Sequence, residues 1–193
     1  MIAYAGAPPS ASMVDVDSIE NFQKRLNVNT VSAVVAADEA IKGFLKLEAE
    51  GKLGPEGATY LFTGNALNEK AASRLITLGL GKAATAHVID SLAHNTSNND
   101  KHFRSAYSST KSTPDLGLCN DASSVVGWML TVHSFYFVDE RHEDGRPMVE
   151  GANGDAHAEE FLKLAQDPKQ GPWQYTFTKG IGYKAFTPKD WTL

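Results

Sequence analysis

Cysteine is almost missing from this chain, since Cys119 is the single cysteine among 193 residues. One cysteine excludes an internal disulfide framework and is typical of a reducing compartment. The chain also lacks an apolar run of the roughly 18 residues that a membrane-spanning helix needs. Its first residues, MIAYAGAPPSAS, lack the basic start of a secretory signal peptide. These absences predict a cytoplasmic protein that has no membrane partner.

An excess of positive charge is missing as well. The 18 lysines and arginines are outnumbered by 23 aspartates and glutamates, which gives a formal net charge of −5. A nucleic-acid surface would need clustered lysine and arginine, so no nucleic-acid partner is expected. The length favours one domain, 1–193, with enough chain for a sizeable core.

Short apolar segments alternate along the chain with segments of helical periodicity. The first kind predicts strands at 2–5, 58–63, 134–138 and 173–178. The second kind predicts a helix that carries Ile19, Phe22 and Leu26, and further helices at 28–48, 81–94 and 156–166. Strands that alternate with helices indicate an α/β fold with a parallel sheet.

One long segment does not follow this alternation. Residues 95–124 are rich in serine, asparagine, threonine and aspartate and show little periodicity. A structureless run of this length is unusual inside a compact domain. We therefore expect a disordered insertion, or a stretch foreign to the ancestral fold, between core regions at about 2–94 and 133–187.

Several short motifs occur in a characteristic order and spacing. Tyr4-Ala5-Gly6 ends the first predicted strand, NVN occupies 27–29, TGNALNEKAASRLITLGLGKAA occupies 63–84, and GPWQYTFTKGIGYKAF occupies 171–186. Together they resemble the active-site half of the short-chain dehydrogenase/reductase family, in particular a divergent fungal-type branch. The resemblance implies a partial Rossmann-type, three-layer fold that holds the second half of a parallel sheet with flanking helices.

The resemblance also implies a chemistry and its residues. The family transfers a hydride between NAD(P) and a small carbonyl or alcohol substrate, with the proton moved by a tyrosine. Asn29 falls at the catalytic asparagine of the family, and Lys82 falls at the catalytic, cofactor-binding lysine. The catalytic serine position corresponds to Gly64 or to Asn65, of which only Asn65 has a polar side chain. Gly6 lies at the cofactor side of the first strand.

Two departures from the family pattern weaken this expectation. The tyrosine should stand four residues before Lys82, where the chain has Leu78. The glycine-rich turn that binds the pyrophosphate should precede the first predicted strand, yet the chain opens at what would be the fourth strand. The glycine pairs at 151–154 and 179–182 are interpreted as turns. We therefore expect an amino-terminally truncated relative without classical redox activity; the alternative is a pseudoenzyme, an interaction module or a truncated gene product.

Simpler interpretations compete with the catalytic ones. Lys82 could be a solvated lysine at a helix start, and Asn29 could be a helix cap. The Tyr107-to-Lys111 spacing imitates the family motif inside the polar segment and is interpreted as coincidence. No metal is expected, although three residues share one helical face: His87, Asp90 and His94. The charged run 140–144 is interpreted as an exposed turn.

A homodimer is expected from two long helices. The family commonly dimerises through this pair, and the helix at 28–48 carries more apolar residues than one buried face needs. Its apolar residues include Val34, Val35, Ile41, Phe44 and Leu45, and the predicted interface joins helices 28–48 and 81–94.

Overall fold

Among the residues that the structure describes, five strands form one sheet, and they follow one another across it in chain order. The computed structural model describes residues 2–3, 19–72, 75–97 and 133–187. The strands are β1 (Ile2–Ala3), β2 (Ala58–Thr63), β3 (His133–Glu140), β4 (Gln174–Thr178) and β5 (Gly182–Tyr183). The first four pair in parallel and β5 pairs antiparallel with β4. The prediction of an α/β fold with a parallel sheet is confirmed.

Strands β2 and β3 form the centre of the sheet. Their register runs from the pair Ala58 and His133 to the pair Thr63 and Val138. Both segments are rich in β-branched and aromatic residues, which fit a pleated surface buried on both sides. Their carboxyl ends therefore lie side by side at one edge of the sheet.

The first two predicted helices are continuous in the structure. Helix α1 (Ile19–Leu26) continues through a π-helical segment, Asn27–Val31, into α2 (Ser32–Ala49). The predicted start at residue 28 is thus wrong, because no glycine or proline separates the two apolar patterns. The π turn inserts an extra residue and shifts the helical phase, so that one helix appears as two in the sequence.

Two more helices lie within the described residues. Helix α3 (Ile76–Ser97) begins before the predicted residue 81, and α4 (Gly154–Gln166) begins before the predicted residue 156. The Asn153 side chain accepts a hydrogen bond from the Ala156 amide and so caps α4. The glycine pair at 151–154 is therefore followed by a capped helix. The pair at 179–182 forms the turn between β4 and β5, as predicted.

The two faces of the sheet carry separate apolar clusters. Helices α2 and α3 pack on one face, where Ile41 and Ile89 meet Tyr60, Phe62 and Phe137, among others. Helix α4 packs on the other face, and the second cluster consists of Leu61, Tyr136, Val138, Ala156, Phe161, Leu164 and Phe177. The predicted three-layer arrangement is confirmed, with both long helices on one face.

Some predictions concern residues that the structure does not describe. Gly6, the insertion at 95–124 beyond Ser97, and the Tyr107-to-Lys111 spacing lie outside the described residues. Within the described ranges, no helix combines the length and apolarity required to cross a membrane.

Candidate functional site

Lys82 lies buried at the carboxyl edge of the central strands. Its Nζ atom is 3.4 Å from the Thr63 carbonyl oxygen, to which it donates, and 4.7 Å from the centre of the Phe62 ring. Only 3% of the residue is exposed. The interpretation of Lys82 as a solvated lysine at a helix start is wrong, because α3 begins at Ile76 and carries Lys82 in its interior.

The surroundings of Lys82 change its acid–base properties. Burial lowers the pKa of Lys82 to about 8, and the carboxylate of Asp139 partly opposes this shift. Burial also raises the pKa of Asp139 to about 6, against the opposing effect of the Arg141 guanidinium. Near neutral pH the site therefore holds an amine with an unusually large neutral fraction beside a carboxylate that is mostly ionised.

Asn29 lies in the π-helical segment and is fully buried. Its Nδ2 atom donates to the Arg25 carbonyl oxygen at 3.0 Å, whereas its buried Oδ1 atom has no hydrogen-bond partner among the described residues. The interpretation of Asn29 as a helix cap is wrong, because helical backbone continues on both sides of it. Single π turns inside α-helices occur frequently at functional sites.

Helix α3 approaches Asn29 closely. The Thr85 hydroxyl donates to the Asn29 carbonyl oxygen at 2.8 Å. A Cβ atom added to Gly81 would lie 2.5 Å from the Asn29 Cβ. The absence of a side chain at Gly81 thus allows the contact that brings Asn29 next to the helix of Lys82. Asn29 and Lys82, two of the three positions that the resemblance assigned to catalysis, thus belong to one packed region.

The position that corresponds to the family serine offers little room. The Gly64 amide donates to the Val138 carbonyl oxygen at 2.7 Å. A Cβ atom at Gly64 would lie 1.9 Å from a ring carbon of Phe137, so that the ring occupies the space of a side chain at residue 64. Asn65 instead caps the short 3₁₀ turn that follows β2, since its Oδ1 atom accepts from the Leu67 amide at 3.1 Å. A catalytic role of Asn65 stays a prediction.

Leu78 stands one helical turn before Lys82 on α3. Residues four apart on a helix share a face, so Leu78 holds the place from which a side chain could act together with Lys82. Its alkyl side chain has no proton to exchange.

A buried ionic cluster adjoins Lys82 and was missed by the sequence analysis. Arg141 is fully buried. Its Nε atom lies 2.5 Å from Asp139 Oδ2, and its Nη2 atom lies 3.0 Å from Glu69 Oε2. Its Nη1 atom donates to the Gly145 carbonyl oxygen at 3.0 Å.

The exposed turn expected at 140–144 is therefore wrong for its first two residues. Glu140 and Arg141 are buried, while Glu143 and Asp144 are exposed. The strand was predicted to end at residue 138, before the charged residues, but β3 extends to Glu140. On the opposite face of the sheet, Glu140 accepts from the Asn153 amide at 2.8 Å. Its carboxylate also lies 3.3 Å from His157 Nδ1, and these contacts join β3 to the start of α4.

The residues considered for a metal site form a different arrangement. His94 Nδ1 lies 2.7 Å from an Asp90 carboxylate oxygen. Throughout the residues with described positions, no group of three histidine, cysteine, aspartate or glutamate side chains is placed to hold a metal ion.

Two features near Lys82 bear on whether NAD(P) could bind. Lys82 itself is a buried amine at the carboxyl edge and can donate a hydrogen bond. The glycines beside it do not form a phosphate-binding turn, because Gly79 and Gly81 lie inside α3. The Gly79 amide donates to the Leu75 carbonyl oxygen at 2.8 Å and so cannot face a pyrophosphate. Gly79 and Gly81 therefore do not provide a pyrophosphate-binding turn.

Comparison with known proteins agrees with the resemblance. No family model matches the chain, and no solved structure matches it. The chain is 36% identical over 173 residues to the short chain dehydrogenase/reductase dmxR12 of Cryptosporiopsis sp. (strain 8999). The alignment covers 89% of this chain and 54% of that protein, so the chain spans about half the length of the curated relative. Sequence identity and the α/β fold lead to one conclusion: the chain belongs to the short-chain dehydrogenase/reductase family.

Proposed function

We propose that this oxidoreductase-like protein keeps a small-molecule site at the carboxyl edge of β2 and β3 but lacks classical NAD(P)-dependent redox activity as this chain alone. One observation carries the proposal. Lys82 and Asn29 are buried in one packed region, while Leu78 holds the place of the proton donor.

The chemistry of the site supports the loss of classical activity. Reduction of a carbonyl needs a proton for the developing alkoxide, and a positioned acid typically contributes 10²–10⁴-fold to the rate. Leu78 cannot supply that proton, and the ring of Phe137 fills the space next to Gly64. Asn29, Lys82 and Asn65 remain as polar groups that could orient a carbonyl or an alcohol.

Cofactor binding provides the direct test. We expect no saturable binding when NADPH or NADH is titrated to millimolar concentration and followed by calorimetry, because Gly79 and Gly81 are committed to α3. The relative dmxR12 itself, produced in the same way, serves as the family control for the assay. Saturable micromolar binding that Lys82→Met abolishes would contradict the proposal and restore the interpretation as a dehydrogenase.

A second candidate function is a non-catalytic interaction module that self-associates. The outer side of the α1–α2 helix exposes three valines about one turn apart: Val28 is 45% exposed, Val31 49% and Val35 54%. Leu80 on α3 is 50% exposed. Ile41, by contrast, is buried in the core, and Phe44 and Leu45 pack against the core. These three residues, which the sequence analysis counted toward the dimer interface, therefore do not belong to the exposed surface.

We expect Val35→Asp to weaken a homodimer formed through α1–α2 and α3 by at least about tenfold, because a carboxylate would be buried without a partner. Sedimentation equilibrium measures the effect. Val149→Asp is the matched control, since Val149 is 83% exposed outside this surface. Equal association of both variants would place the interface elsewhere.

A further inference from the structure

Helix α1 is attached to the rest of the fold more weakly than the helix into which it continues. None of the residues of α1 is buried, and Ile19 at its start is 68% exposed. Helix α2, by contrast, buries Ala33, Ala37 and Ile41. Segments with few buried apolar contacts are the ones that open most readily in a native protein.

The π-helical segment Asn27–Val31 joins these two unequal halves. It is fixed to α3, because the Thr85 hydroxyl donates to the Asn29 carbonyl oxygen at 2.8 Å. Toward α1, the Asn29 Nδ2 atom donates to the Arg25 carbonyl oxygen at 3.0 Å. A π turn interrupts the regular hydrogen-bond ladder of an α-helix and is a place where long helices bend. The segment therefore separates an anchored helix from a weakly held one.

The docked position of α1 also leaves a buried polar atom unpaired. Asn29 is fully buried, and its Oδ1 atom has no hydrogen-bond partner among the described residues. An unpaired buried acceptor destabilises the arrangement that buries it. Helix α1 contacts both the π segment and α3, so its movement away from α3 would let solvent donate to this oxygen.

We propose that α1 is a hinged arm that undocks from α3 about the π segment and opens the way from solvent to Asn29. Asn29 is 0% exposed and Lys82 3% exposed, so a small molecule reaches this region only after a neighbouring element moves. The inference rests on the small-molecule site of the proposed function and assigns to it a means of access. It involves no covalent step and no cofactor.

Hydrogen exchange of the full chain, resolved to single residues by mass spectrometry, tests the movement without any substitution. We expect the amides of 23–26 in α1 to exchange at least about 100-fold faster than those of 37–41 in α2. The reason is that α1 has only eight residues, and a helix of this length is marginal in water without tertiary contacts.

Helix α4 provides the matched control for fraying at a helix end. Its residues 158–161 lie as far from the start of α4 as 23–26 lie from the start of α1, but α4 buries Ala156 and Phe161. We expect slow exchange at 158–161. Exchange at 23–26 that is no faster than at 158–161 would overturn the proposal, because α1 would then be held as firmly as a packed helix.

Spin labels measure the displacement directly. In a Cys119→Ser background, Gln23→Cys and Lys46→Cys place labels on exposed positions of α1 and α2, roughly 35 Å apart along the docked helix. We expect pulsed dipolar spectroscopy to show this distance and a second, broader population. The control pair, Lys46→Cys with Glu159→Cys on α4, should give one narrow population. One narrow population for both pairs would show that α1 does not undock.

The two proposals fail separately. Saturable micromolar NADPH binding would contradict the proposed function and leave the exchange and distance results for α1 unchanged. A firmly docked α1 would overturn the hinged arm and leave the cofactor titration unchanged.

Discussion

Replacing Arg141 with alanine is expected to lower the free energy of unfolding by about 3–5 kcal/mol. Arg141 is fully buried and contacts Asp139 at 2.5 Å and Glu69 at 3.0 Å. Removing the guanidinium leaves the buried Asp139 carboxylate without its main counter-charge, and the lost attraction is not replaced by water. Urea denaturation at pH 7.5 measures the change from the midpoint, provided that the m-value is unchanged.

The same turn offers a matched control. Arg146 contacts Asp144 at 2.7 Å, but its side chain is 60% exposed. An exposed pair contributes at most about 1 kcal/mol, so Arg146→Ala should change the free energy of unfolding by less than that. Similar losses in the two variants would show that burial of the Arg141 cluster does not determine its contribution to stability.

The strands were predictable where local signals agree. Strand β2 has the predicted bounds because a short β-branched and aromatic run lies between Gly57 and Gly64. Strand β3 is longer than predicted, since it continues into the charges at Asp139 and Glu140. A charge run normally indicates solvent exposure, and no local pattern reveals that partners elsewhere in the fold bury it.

The predicted start of helix α3 was wrong for a different reason. Glycine is unfavourable in a helix by about 1 kcal/mol relative to alanine, which favoured a helix that begins only at residue 81, whereas α3 begins at Ile76. In the structure, the contact of α3 with the π segment requires a residue without a side chain at Gly81. Tertiary packing therefore overrides local propensity here.

The candidate site was only half predictable. The resemblance singled out Asn29 and Lys82 from motif order alone, and their catalytic roles stay predictions. Their burial depends on contacts between distant segments, such as Thr85 with Asn29 and Lys82 with Thr63. The pairing of Arg141 with Glu69 is of the same kind. The pattern of one sequence does not reveal which distant residues come into contact in the fold.

Gly81→Ala is expected to destabilise the protein by about 1–3 kcal/mol, although alanine has the higher helix propensity. The added Cβ would lie 2.5 Å from the Asn29 Cβ and 3.6 Å from the Asn29 carbonyl carbon. Because the first atom is fixed to a buried backbone, the contact can be relieved only if α3 moves away from the π segment. That movement would also lengthen the hydrogen bond from Thr85 to Asn29.

Gly43→Ala is the matched control, since Gly43 lies in α2 and a Cβ there would have no atom within 4 Å. We expect this variant to be more stable than the parent by about 0.5–1 kcal/mol, the ordinary gain in helix propensity. Urea denaturation of both variants gives the comparison. If Gly81→Ala gains stability as Gly43→Ala does, the close approach of α3 to Asn29 does not hold the site together, and other contacts of α3 must position Lys82.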